Sequence, residues 1–248
     1  MSLEAMIFIA LGAVFAGFIN GLAGFGVSLF ALGWWLQVLE PIDAVAVSLA
    51  ISVVTGIQGV WVVRSAIEIP ALARFLIPAL IGIPVGLSLL AHLSADILKL
   101  LIAFFLLAYG AYFAGQRRLP SLTRPTPMID SLIGFIGGLL GALAGLSGAL
   151  PTVWLSLRPW PKAKTRGLLQ PYNTIVLGIS AILLSVNGVY DTGVLLALVI
   201  AVPVALASAQ VGIRVFRLIN DSQFRRLLIL LMLVSGVVLL ARSATSLL

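Results

Sequence analysis

The stretch Gly17-Phe18-Ile19-Asn20-Gly21-Leu22-Ala23-Gly24-Phe25-Gly26 interrupts an apolar run over residues 6–39. A second stretch, Gly134-Phe135-Ile136-Gly137-Gly138 followed by Gly141-Ala142-Leu143-Ala144-Gly145-Leu146-Ser147-Gly148, interrupts the run over 128–157. At an offset of 121, Leu22/Leu143, Ala23/Ala144, Gly24/Gly145 and Leu29/Leu150 are identical, and Gly26 faces Ser147. Paired hydrophobic segments broken at matching places point to the binding site of a membrane transporter. Backbone freed at such a break has to be buried in protein or line a watery cavity.

Outward from these breaks, further apolar segments fall at 42–63, 70–91, 95–115, 165–187, 193–213 and 223–242. Their lengths are those of helices crossing about 30 Å of hydrocarbon. With 61% hydrophobic and 9% charged residues over 248 positions, the chain reads as an all-α polytopic membrane protein. The formal charge of +7 then speaks for anionic lipid headgroups rather than nucleic acid. Cysteine is absent, which excludes disulfides and thiolate chemistry. Glu4 stands where a cleaved leader would be basic, so no signal peptide is expected. The expected organisation is a first transmembrane repeat over 1–115, a linker over 116–127 with Arg117, Arg118, Arg124 and three prolines, and a second repeat over 128–248. At an offset of 126, Gly86 faces Gly212, Lys99 faces Arg225 and Gly110 faces Gly236, which carries the internal similarity to the end of the chain.

Charge distribution separates two topologies. If every segment crosses once, Lys and Arg divide nearly evenly between the two sides. If each broken segment is a hairpin returning to its own side, Arg64, Arg74, Arg117, Arg118, Arg124, Arg158, Lys162, Lys164, Arg166, Arg214, Arg217, Arg225 and Arg226 share one face, against Lys99 and Arg242 on the other. The positive-inside rule selects the hairpins and puts the rich face in the cytoplasm. Each half is then a hairpin plus three crossings, so the halves are inverted and the glycine tips approach one another. The expected arms are short, 6–20 with 27–39 and 129–140 with 149–157. The competing arrangement is one long tilted helix with loosely packed glycines.

No catalytic constellation is visible. His92 sits at a segment end beside Ser94 and Asp96, the stretch from Gly145 to Ala149 lacks the last glycine of a nucleophile elbow, and no metal-ligand spacing occurs. Glu40, Asp43, Glu68, Asp96, Asp130 and Asp191 all fall at segment ends, whereas a proton relay would need an acid at depth. No cofactor is expected. What remains near the breaks is neutral and polar: Asn20 and Ser28, Ser48 and Ser52 at i, i+4, Ser147, and Gln170-Pro171-Tyr172-Asn173. Any one of these serves equally as glue between helices. Helix arms starting at Val27 and Ala149 add free amides and positive dipole ends, which bind anions without a fixed cation. Gly21, Gly24, Gly26, Gly145 and Gly148 allow a bulky oxyanion to reach the backbone. The small-xxx-small pairs Gly17/Gly21, Gly134/Gly138 and Gly141/Gly145 compete as packing faces, and Gly82/Gly86 is read as that alone.

Gly21-Leu22-Ala23-Gly24-Phe25-Gly26, then Ala44-Val45-Ala46-Val47-Ser48 opening the next helix and Arg64 closing it, resembles the TauE/SafE family of sulfite and organosulfonate exporters. Residues 134–150 fit that family's repeat, and the likeness covers nearly the whole chain. The resemblance implies efflux of small sulfur oxyanions or related carboxylates by a multi-pass protein of the bacterial inner membrane. Val27 and Ser28 depart from a glycine-richer family pattern. The expected partners are a small anionic substrate and membrane lipids, with a homodimer left open. A channel-like anion facilitator, an integral-membrane enzyme and a cation transporter are the rival readings.

Overall fold

The computed structural model describes residues 1–90 and 122–245, and every regular element among them is helical. They are α1 (Leu3–Ala23), α2 (Val27–Trp35), α3 (Pro41–Val63) with a 3-10 turn at Arg64–Ala66, α4 (Ile69–Leu90), α5 (Pro127–Ala144), α6 (Ala149–Ser156), α7 (Lys162–Val186), α8 (Thr192–Leu218) and α9 (Asp221–Thr245). Among the described residues six stretches are long and apolar enough to cross a membrane: Leu3–Ala23, Ile42–Ala66, Ile69–Ser88, Pro127–Ala144, Lys162–Val186 and Thr192–Leu218. Apolar side chains such as Ile57, Trp61, Ile77, Ile81, Leu132 and Val199 face outward, as a surface solvated by lipid demands. The segment at 95–115, His92, Asp96, Lys99, Arg117 and Arg118 lie outside the described residues.

Both broken runs fold back on themselves. The Trp35 indole N–H at the end of α2 donates to the Ile9 carbonyl near the start of α1, 3.1 Å away. Trp34 stacks on Phe15 and tilts against Phe8. In the second hairpin, the Trp154 indole N–H on α6 donates to Asp130 in the first turn of α5 at 2.7 Å. The arms differ from the expected lengths. At 1.5 Å per residue, α1 with 21 residues is about 31 Å long and α5 with 18 about 27 Å, while α2 and α6, with 9 and 8 residues, reach only about 12–14 Å. The reason is that Gly17, Gly21, Gly134, Gly137, Gly138 and Gly141 do not break a helix. The breaks are confined to Gly24–Gly26 and Gly145–Gly148.

The other glycines seat helices against one another. A methyl group on Gly17 would lie 2.1 Å from the Ala205 carbonyl oxygen, and one on Gly21 2.2 Å from that of Ala209. So α1 and α8 run parallel in backbone contact. A methyl on Gly134 would meet the Phe75 carbonyl at 2.1 Å and one on Gly138 that of Ala79 at 2.2 Å, which sets α4 and α5 side by side in the same way. Gly82 and Gly86 face the Phe135 and Leu139 carbonyls, as packing glycines do. The contacts correspond across the two halves. Gly17 and Gly138 are 121 apart and Ala79 and Ala205 are 126 apart, the offsets at which the sequence matches itself.

At the centre α3 and α7 cross antiparallel: Gly167 faces Ala66, Gly59 faces Gln170, and Gly56 faces Thr174. The helix α7 continues through Pro171. Asn20 bonds to Ser52 and Thr55, and Ile9 and Ala13 share a core cluster with Ala44, Ala46 and Val47, so α1 and α3 share a direction and the first tip reaches the middle of α3. Gly137 against Tyr172 and Gly141 against Val176 give α5 the direction of α7 and bring the second tip to the middle of that helix. The two hairpins therefore enter the bundle from opposite ends. Arg64, Arg74, Arg124, Arg158, Lys162, Lys164, Arg166, Arg214, Arg217, Arg225 and Arg226 all lie at one end, while Arg242 is at the far end of α9. Leu122 and Arg124 bond to Leu157 and Arg158, so the end of the 116–127 stretch and the loop after α6 meet at that arginine-rich end.

Candidate functional site

Each tip is built by a left-handed glycine that ends a helix. Gly24 has φ 86° and bonds back to the Asn20 carbonyl; Gly145 has φ 66° and bonds back to Gly141. A side chain at either position would be strained, so glycine ends the long arm cleanly. The short arms begin at Val27 and Ala149, as expected, and no side chain caps them.

The tips are tied crosswise. Asn173 Nδ2, in the middle of α7, donates to the Gly24 carbonyl at 2.8 Å, and its Oδ1 accepts from the Ser147 hydroxyl at 2.7 Å. Ser28 Oγ donates to the Gly145 carbonyl at 3.1 Å and shares a hydrogen bond with the Ser48 hydroxyl. Ser52 turns back to the Ser48 carbonyl. Asn20 donates to Thr55 Oγ1 at 2.6 Å and to the Ser52 carbonyl at 3.3 Å. All of these side chains are buried, and no carboxylate is among them. Between the tips lies a cavity of about 10 Å³, lined by Asn20, Gly26, Ser52, Gly145, Ser147, Gly148 and Asn173 among others. That is room for one water molecule. A multi-atom oxyanion is larger than this space.

Of the residues singled out in the sequence, Asn20, Ser28, Ser48, Ser52, Gly24, Gly26, Gly145, Ser147, Gly148 and Asn173 come together here. Gly21 does not: it packs on Ala209. Tyr172 points away as well, its hydroxyl donating to the Gly134 carbonyl at 2.9 Å. Gln170 lies one turn from Asn173 toward the arginine-rich end and reaches Asn20 Oδ1 at 3.5 Å.

The sequence places Arg166 among the loop cations. Instead Arg166 is 0% exposed, one turn inside α7. Its Nε and Nη2 both donate to Gln170 Oε1 at 3.2 Å, Phe216 lies 4.4 Å from its guanidinium carbon, and Nη1 has no partner. Among the described residues no carboxylate pairs with it. Removing an ion from water costs roughly several kcal/mol even after relaxation, which a neutral amide and a ring face offset only in part. The sequence signal was Arg166 and Gln170 at i, i+4, on one helix face. The other buried cation, Arg158, is paired conventionally with Asp130 at 2.8 Å.

A bundle of membrane-length helices with two half-length arms meeting in a buried polar core defines a multi-pass membrane protein of the transporter class. The profile of the Sulfite exporter TauE/SafE family matches residues 9–239, and the chain belongs to that family. No individual curated protein matches the chain.

Proposed function

We propose that the protein exports a small anion, sulfite or a C2–C3 organosulfonate, from the bacterial cytoplasm across the inner membrane by alternating access. The observation that carries this reading is the closed meeting of the two hairpin tips at mid-height, in a cluster of neutral donors with room for one water. A site this tight has to open to admit any substrate, which favours gated exchange over a standing pore. The anion is held by the amides that begin α2 and α6 and by Asn20, Ser28, Ser147, Gln170 and Asn173. The antiparallel crossing of α3 and α7, and contacts such as Gly17 to Ala205 and Gly138 to Ala79 at matching offsets, support two inverted repeats, 1–115 and 128–248, joined by a linker at 116–127. The arginine-rich end faces the cytoplasm in this reading. Among the described residues no carboxylate lies with the tips, and in this reading membrane voltage supplies the drive, about 2.3 kcal/mol per charge per 100 mV.

Liposomes carrying the purified protein test this. Saturable, voltage-dependent flux of sulfite, isethionate, sulfoacetate or lactate is the expected result, with taurine, a zwitterion, as the uncharged comparison. Flux linear in concentration to high levels would favour a channel-like facilitator, and flux of cations alone would refute the anion reading.

A further inference from the structure

We propose that Arg166 and Gln170 form an oxyanion station beside Gly24, where a sulfur oxyanion arriving from the arginine-rich end trades water for protein before it reaches the tips. The inference rests on the export reading above and names the residue that supplies the substrate's counter-charge.

Three observations carry it. The first is the unused donor: Arg166 is fully buried, its Nη1 has no partner among the described residues, and the remaining donors share one neutral oxygen, Gln170 Oε1. A guanidinium fork matches two oxygens of an oxyanion and is underused on a single amide. The second is the contrast with Arg158, which also has one unpartnered nitrogen, Nε, but whose charge is met by Asp130. Among the described residues an acid meets one buried arginine and none meets the other, as suits a charge whose partner comes and goes. The third is the space made for the pair. A methyl on Gly59 would stand 2.3 Å from Gln170 Oε1, and one on Gly24 would stand 3.0 Å from that oxygen and 3.4 Å from Arg166 Cγ. Arg166 and Gln170 thus fill a slot between α3 and the first tip, and the slot leads inward: Gln170 Nε2 is held toward Asn20 Oδ1 by a long 3.5 Å contact. When an oxyanion takes the fork, Gln170 Oε1 is released, the amide is free to turn, and its Nε2 leaves Asn20. Occupation of the station and loosening of the first tip are then one event.

The test compares wild type with R166Q, R166K and R64Q in liposomes, following uptake of radiolabelled sulfite and isethionate as KM and maximal rate, with thermal stability measured in detergent with and without sulfite. R166Q is expected to lower maximal flux at least tenfold and raise KM, to lose the sulfite-induced stabilisation, and to melt no lower than wild type without ligand. An arginine serving only the fold would lower the melting temperature instead. R166K is expected to keep at least a third of the flux with a raised KM, since it keeps charge and loses the fork; it carries the test if R166Q fails to insert. R64Q, altering an exposed cation at the same end, should match wild type. Wild-type KM and flux in R166Q, or flux in R166Q and R166K that falls only in step with the folded fraction, would overturn the station and leave the export reading standing. A wild type that moves none of the anions would overturn the export reading, and the station with it.

Discussion

Replacing Asn173 with alanine cuts both ties that this residue makes between the tips. The Gly24 carbonyl loses its donor at 2.8 Å and the Ser147 hydroxyl its acceptor at 2.7 Å. Both groups stay buried in a core that has space for only about one water while Asn173 is in place. Leaving a buried polar group unmet costs about 1–3 kcal/mol in soluble proteins, while side-chain bonds between membrane helices average about 0.6 kcal/mol and reach about 1.7. The lower scale governs here, because the unfolded helices in lipid also find partners. Two bonds then give about 1–3 kcal/mol of lost stability for Asn173→Ala. Asn173→Asp should be worse for anion flux than alanine: it keeps an acceptor for Ser147 but sets a carboxylate oxygen against the Gly24 carbonyl and the substrate in a site of low dielectric. Asn187→Ala, whose amide bonds the Leu183 carbonyl at the exposed end of α7, is the control and should shift stability by less than about 0.5 kcal/mol. Unfolding followed by tryptophan fluorescence, with sulfite flux measured on the same preparations, reads both effects. Asn173→Ala with control-like stability and full flux would refute the tie between the tips.

Single cysteines at Thr123 and Pro159, both at the arginine-rich end, should be equally shielded from an impermeant thiol reagent in intact cells, while one at Asn187 is labelled; opposite behaviour of the first two would mean that the second hairpin crosses. Gly24→Leu and Gly145→Leu should abolish flux with much of the protein still folded, whereas Gly17→Leu and Gly138→Leu should deplete membrane-inserted protein, since their side chains would strike the Ala205 and Ala79 carbonyls; expression and flux measured together separate the pairs. Ser147→Ala should weaken anion binding by about 1–3 kcal/mol and Ser147→Asp should eliminate flux, read by vesicle efflux of a labelled sulfonate. Asp130→Asn strips Arg158 of its carboxylate and should destabilise the fold by about 3–5 kcal/mol, checked by thermal melting.

Hydropathy and charge made most of the frame legible. The start of each short arm was readable from the last glycine before an apolar run, and α3 and α4 begin within a residue of expectation. The lengths of α1 and α5 were not readable. Glycine between apolar residues signals either a break or a close crossing, and only the neighbour decides which: Gly17 and Gly138 meet a backbone carbonyl, while Gly24 and Gly145 meet polar side chains at a left-handed turn. Asn20, Ser147 and Asn173 were found because neutral polar residues are scarce in apolar runs. Arg166 was missed because a cation near the start of a helix reads as a headgroup contact. Its depth is set by the packing of Phe216 and the first tip over it, which no local pattern encodes.

The glycine crossings have a consequence for how the chain is held together. The long arm of the first hairpin is seated on α8 and the long arm of the second on α4, so each half lends its hairpin to the other. Neither half can close its own backbone-deep grooves. Cut between Leu90 and Leu122, the chain would yield two fragments that are each half a handshake. Made alone, each should be cleared by membrane proteases; made together, they should clasp and restore one working molecule.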